Sequence, residues 1–177
     1  MRFEELNVLI KDYIEDDKTG MAMMLTAPWG YGKSYYIQNT LVPFLLENKH
    51  KSVVVSLYGL KNIQEISKQI YLCLRTIRFW GNNEQKSEAK STTKVVGKVI
   101  GKTIFNTIVS KVGLDVSKLE DGAFQEVYES VDLTGMLIVL EDLERSEISV
   151  VEILGYVNNL VEHDNVRVLL VANEDEL

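Results

Sequence analysis

Cysteine is almost missing from this sequence: Cys73 stands alone, so no disulfide can close within the chain. Histidine is nearly as scarce, with His50 and His163 only, which leaves too few ligands for a zinc site. Positive charge is in deficit. Nineteen Lys and Arg face 26 Asp and Glu, for a net charge of -7, and this argues against bulk nucleic-acid binding. A secretory leader is not visible either, because Met1-Arg2-Phe3-Glu4-Glu5 is acidic and lacks an apolar run. The closing Glu174-Asp175-Glu176-Leu177 mimics an endoplasmic-reticulum retention signal, but without a leader it reads as coincidence. The expectation is a cytoplasmic protein.

What is present is ordinary for a globular chain. Across 177 residues, 46% are hydrophobic and 25% charged, enough for a single domain with a real core. Cys73 lies among Ile70, Tyr71, Leu72 and Leu74, and reads as a buried, inert thiol.

The apolar pattern alternates between two periods. Phe3, Leu6, Leu9, Ile10, Tyr13 and Ile14 have helical spacing. Met21 to Ala27 is a continuous apolar run between Gly20 and Pro28, read as a buried strand. A helix follows from Lys33 to about Glu47, with Pro43 expected to kink it or end it early. Ser52 to Tyr58 is a valine-rich strand, and Asn62 to Phe79 a helix with Ile63, Ile66, Ile70, Tyr71, Leu74 and Ile77 on one face. Gly81 to Thr93 reads as a polar loop, Val95 to Val112 as a basic amphipathic segment, and Phe124 to Val131 as a short helix. Met136 to Leu140 is a third strand, Val150 to Val161 a helix, and Val166 to Ala172 a fourth strand. Strands alternating with helices imply an α/β fold with a mainly parallel sheet.

The chemistry concentrates at two strand ends. Ala27-Pro28-Trp29-Gly30-Tyr31-Gly32-Lys33-Ser34 lies directly between a strand and a helix. That is the context a phosphate loop needs. Gly30 and Gly32 free the backbone to turn successive N–H groups toward phosphate oxygens, and the helix start adds partial positive charge. Lys33 would bridge the outer phosphates, and Ser34 would offer a hydroxyl to Mg²⁺. Tyr35 follows within reach of the same ligand. The common pattern has glycine where Ala27 stands.

The second strand end is Leu140-Glu141-Asp142. Packing gives an apolar strand no reason to end in two carboxylates, whereas a phosphate site does. One can hold a cation shell and the other can orient or deprotonate water. Aspartate first and glutamate second is the usual order. Here it is reversed, with Glu141 on the metal side and Asp142 as base. Nucleotide binding is therefore better supported than fast hydrolysis. Asn173, just after the fourth strand, is a candidate to sit between the terminal phosphate and the attacking water.

Trp29-Gly30-Tyr31-Gly32-Lys33-Ser34 resembles the loop of KAP-family P-loop NTPases, and Leu140-Glu141-Asp142-Leu143-Glu144-Arg145 is similar to that family's acidic motif, with Glu141 and Glu144 in place of two aspartates. The resemblance implies a P-loop three-layer sandwich of the RecA/AAA-like, additional-strand type. Its sensor strand would lie between the phosphate-loop strand and the acid-ended strand. It also implies ATP and Mg²⁺ as cofactors, and a homo-oligomer or protein effector as partner. Bacterial members include proteins of phage exclusion. Arg145 would match the family arginine, supporting the acids or touching a neighbouring subunit's nucleotide; its plainer role is an ion pair with Glu141, Glu144 or Glu147.

Between the two motifs lies an insert of about residues 80–118. Its stripe at 94–112 is interrupted by Lys94, Lys98 and Lys102, and is short of the roughly 20 apolar residues that span a bilayer. Packing on its own domain is favoured over contact with a membrane surface. Domains of this type continue past the sensor strand, so the expectation is a domain incomplete at its C-terminus. Two other readings stay open: a small-molecule, nucleoside-type kinase, and a nucleotide-binding assembly module that does not hydrolyse.

Overall fold

The computed structural model describes residues 2–16, 18, 20–83, 133–162 and 166–177, the side chains of 75–83 excepted. The chain divides into two compact units, Met1–Ile66 with Leu133–Leu177, and Ser67–Asp132. The basic stripe at 94–112, the expected helix at Phe124 to Val131 and the loop beyond residue 83 lie outside the described residues.

The elements follow in order: α1 (Phe3–Glu15), β1 (Met23–Thr26), α2 (Lys33–Tyr36), a π-helical turn (Ile37–Leu41), α3 (Val42–Glu47), β2 (Ser52–Ser56), α4 (Ile63–Asn83), β3 (Leu137–Glu141), α5 (Val150–Glu162) and β4 (Arg167–Ala172). The four strands form one sheet in the order β1-β4-β3-β2, and all neighbours run parallel. This is an α/β fold. The sensor-position strand β4 lies between β1 and β3, as the family resemblance implies.

Burial follows strand position. The two central strands, β3 and β4, are buried at every residue, which is why both read as unbroken apolar runs. The run at Met21 to Ala27 was expected to be buried as well, and here the structure differs. β1 is an outer strand of the described sheet with no fully buried residue: Met23 and Leu25 are partly buried, and Met24 and Thr26 are exposed. A strand with a neighbour on one side only keeps part of its surface open whatever its composition.

Two helices depart from the expected outline. The segment from Lys33 does not end early at Pro43. It reaches Glu47, and the proline is absorbed one turn upstream, where the Val42 N–H reaches back to the Ile37 carbonyl. Proline clashes with the carbonyl four residues before it, and a wider turn there relieves the clash. α4 continues through Gly81 to Asn83 instead of yielding to a loop at Gly81. One glycine costs about 1 kcal/mol in a helix, too little to stop a long one. Within α4, Ile66, Ile70, Tyr71 and Leu72 are buried. Cys73 is only partly shielded as a residue, yet burial pushes its thiol up to about 12, so it stays protonated and unreactive.

α1 is fixed to the sheet by one phenol. The Tyr13 hydroxyl donates to the Met21 carbonyl at 2.7 Å and accepts from the Val168 N–H at 3.1 Å. β1 first pairs with β4 at Met23 and Leu169, so Tyr13 serves the β4 backbone where pairing with β1 has not begun. Arg167 adds a bond from its Nε to the Tyr13 carbonyl at 3.2 Å. Leu6, Ile10, Tyr13 and Ile14 are buried, whereas Phe3 and Leu9 from the expected stripe are exposed.

Candidate functional site

Because the strands run parallel, the loops after all four leave from one edge of the sheet. The loop after β1 starts in register, with the Ala27 N–H bonded to the Ala172 carbonyl at 3.3 Å. Ala27 is still in ordinary strand-like pairing and is absent from the positive-φ residues. The missing glycine at that position therefore costs nothing. Gly30 and Gly32 have φ of 83° and 80°, and a Cβ at either would meet nothing within 4 Å. Backbone conformation, not space, is what demands glycine there. Gly32 caps α2, whose first residue is Lys33.

Lys33 folds its ammonium back over this loop. Its Nζ donates to the Ala27 carbonyl and, at 3.2 Å, to the Pro28 carbonyl. The cation is thus held at the mouth of the turn, with Ser34 one residue on.

Ser34 lies close enough to the carboxyl of Glu141, the last residue of β3, to hold its pKa down. Glu141 is 1% exposed, and its Oε1 is buried without a hydrogen-bond partner. Desolvation pushes its pKa up to about 7; Asp142 adds to the rise, while Ser34 and Lys33 oppose it. A buried carboxylate oxygen with no partner, beside a serine hydroxyl, is a donor set that fits a hard divalent cation such as Mg²⁺. Asp142 follows in the left-handed region at φ 60°, a conformation that aspartate tolerates better than most residues. Its Oδ2 accepts from the Ser56 hydroxyl at 2.7 Å, so the end of β2 also serves the site.

The loop after β3 closes the arrangement. Glu144 accepts the Trp29 indole N–H at 2.9 Å on one oxygen and the Asn173 backbone N–H at 3.2 Å on the other. Desolvation works against this carboxylate, but the hydrogen bonds from Trp29 and Asn173 and the charge of Lys33 outweigh it, and its pKa falls below the usual value. The expected ion pair of Arg145 with Glu141, Glu144 or Glu147 does not form among the described residues. Instead the guanidinium carbon lies 5.4 Å from the Trp29 ring centre and 5.9 Å from that of Tyr58. Aromatic faces attract a cation at this range.

These parts enclose a cleft of about 320 Å³, lined by Trp29, Gly30, Gly32, Lys33, Ser34, Tyr35, Asp142, Glu144 and Arg145. Pro28 and Tyr31 belong to the same loop without lining the cleft, and Tyr31 is exposed. Asn173 is buried at the end of β4, joined to the cleft through its backbone bond to Glu144. The sequence reading missed Ser56, Glu144 and Tyr58 as site residues. Ser56 had a signal, since a hydroxyl ends a valine strand whose neighbours in a parallel sheet also end in polar groups. The partnership of Glu144 with Trp29 had none, because it joins loops 115 residues apart.

The chain matches the family model of the KAP family P-loop domain over residues 4–177. It belongs to the KAP family of P-loop NTPase domains. No curated protein and no solved structure gives a match. Family membership supports nucleotide binding by this KAP domain.

Proposed function

We propose that this KAP domain binds ATP with Mg²⁺ in the cleft, hydrolyses it slowly, and uses nucleotide state to act on a protein effector or a second copy of itself. The observation that carries the reading is Ser34 beside the buried carboxyl of Glu141, whose Oε1 has no hydrogen-bond partner. A cation that polarises the phosphates would be held by these two residues. Lys33 would exchange its loop carbonyls for phosphate oxygens, and the backbone N–H groups from Gly30 to Ser34 would surround the triphosphate. Asp142 is the candidate base for the attacking water. The Ser56 hydroxyl now bonded to it has to be displaced or shared, which favours slow turnover and lends some support to a binding module with no hydrolysis. ATP as ligand suits a cytoplasmic domain.

Calorimetry with ATP and with GTP, each with Mg²⁺, followed by phosphate release without an added acceptor, tests the reading. The expected result is ATP binding with slow release. Lys33→Ala should weaken binding at least 100-fold, or about 2.7 kcal/mol, and unchanged affinity would overturn the phosphate-loop assignment. Asp142→Asn should stop release while sparing affinity. Turnover that survives would remove Asp142 from the role of base.

A further inference from the structure

We infer that Glu144 is a positioning residue: its carboxylate clamps the phosphate loop to the end of β4, so that Trp29 and Asn173 move together. The inference rests on the proposed nucleotide site and goes beyond it. One carboxylate, with one oxygen for each donor, joins three segments that sequence keeps apart: the Trp29 indole at 2.9 Å, its own loop after β3, and the Asn173 amide at 3.2 Å.

The geometry makes Glu144 more than a surface contact. Trp29 is 53% exposed, so burial does not fix the indole; its N–H bond to Glu144 and the Arg145 guanidinium over its face do. Asn173 has little freedom while its amide is held, and the side chain it presents is buried. Glu144 also lines the cleft beside Lys33. An incoming triphosphate brings negative charge next to a carboxylate that already carries one, and like charges at close range repel. Phosphate binding therefore pulls on the clamp, and the clamp passes the pull to Asn173. Removing the carboxylate has two separable effects. It relieves the repulsion, which leaves ATP affinity equal or tighter. It also unties Trp29 and Asn173, which lowers turnover.

The test uses the whole chain with its other tryptophan, Trp80, changed to phenylalanine, so that emission reports Trp29 alone. Acrylamide quenching without nucleotide, ATP·Mg²⁺ titration and phosphate release are measured for this parent and for Glu144→Ala, Glu144→Gln and Glu144→Asp. In Glu144→Ala, Trp29 should emit further to the red and quench more readily. ATP should bind as in the parent or several-fold tighter, and release should fall about 10-fold, or about 1.4 kcal/mol in barrier. Aspartate, which keeps the charge and both acceptors, should restore most of the release; glutamine, with a single acceptor oxygen, should restore less. Unchanged quenching in Glu144→Ala overturns the clamp. So does a variant whose affinity and melting temperature fall together, since that marks a merely structural role. If the parent itself binds no ATP, the nucleotide reading has failed, while the quenching comparison still decides whether Glu144 holds Trp29.

Discussion

Glu141 has a carboxyl that the fold keeps dry, and that has a measurable consequence at the residue scale. Its pKa rises from 4.5 to about 7 on folding, chiefly through desolvation. Below about pH 7 the fold favours the neutral acid. The stability it retains is complete below the unfolded value near 4.5, and is lost as pH climbs through about 7. Glu141→Gln removes the titration. The variant should be more stable than the parent at pH 8, by up to roughly 3 kcal/mol, and the gap should close toward pH 4.5. Denaturant unfolding at pH 5 and pH 8 measures it; an equal gap at both would mean that the carboxyl does not titrate in this range. The same substitution should weaken Mg²⁺-dependent ATP binding, so stability and function part company at one side chain. The sequence showed that an acid pair ends this strand. That the first acid would be buried and the second held by Ser56 depended on which strand lies alongside, and strand order is not written in local pattern.

At the scale of elements, the helix after the phosphate loop shows how a local rule is met rather than broken. Pro43 predicts a kink or a stop, and the chain answers with the π-helical turn at Ile37–Leu41. Tyr36, Ile37 and Leu41 are all buried around that turn, so the wider winding is locked by packing as well as by the proline. Pro43→Ala should leave stability within about 1 kcal/mol of the parent, measured by denaturation. A gain near 3 kcal/mol would mean instead that the proline strains an otherwise regular helix. The strands teach the complementary lesson. Apolar runs placed all four strands to within a few residues, the valine, isoleucine and leucine of β2, β3 and β4 leaving a clearer trace than the methionine-rich run of β1. The same composition misjudged β1, since an apolar run does not say how many neighbours a strand will have.

At the scale of the molecule, contacts between distant segments decide how the sheet is held. Tyr13 and Val168 lie 155 residues apart, and one hydroxyl joins them. Tyr13→Phe keeps the ring and deletes that hydroxyl, leaving the buried Val168 N–H without its partner. An unpaired buried N–H costs about 1–3 kcal/mol, and denaturant unfolding should show a loss of that size with ATP affinity unchanged. A loss below about 0.5 kcal/mol would mean that another group takes over the amide. The site draws on the same long-range order. Trp29, Glu144 and Asn173 come from the segments that follow β1, β3 and β4, and they meet because parallel strands send their following loops to one edge.

The sequence by itself determined the parts: an α/β chain, a glycine-bearing loop ahead of Lys33 and Ser34, an acid-ended strand, and the KAP resemblance that the family match then showed. Each is legible because it rests on neighbours in the chain, through periodicity, backbone conformation or motif spacing. Only the tertiary structure decided that β1 lies at one side of the described sheet, that Arg145 turns to Trp29 and Tyr58, and that Ser56 and Glu144 join the site. Those outcomes depend on strand order and on which loops meet across the sheet edge, and no local run of residues encodes them.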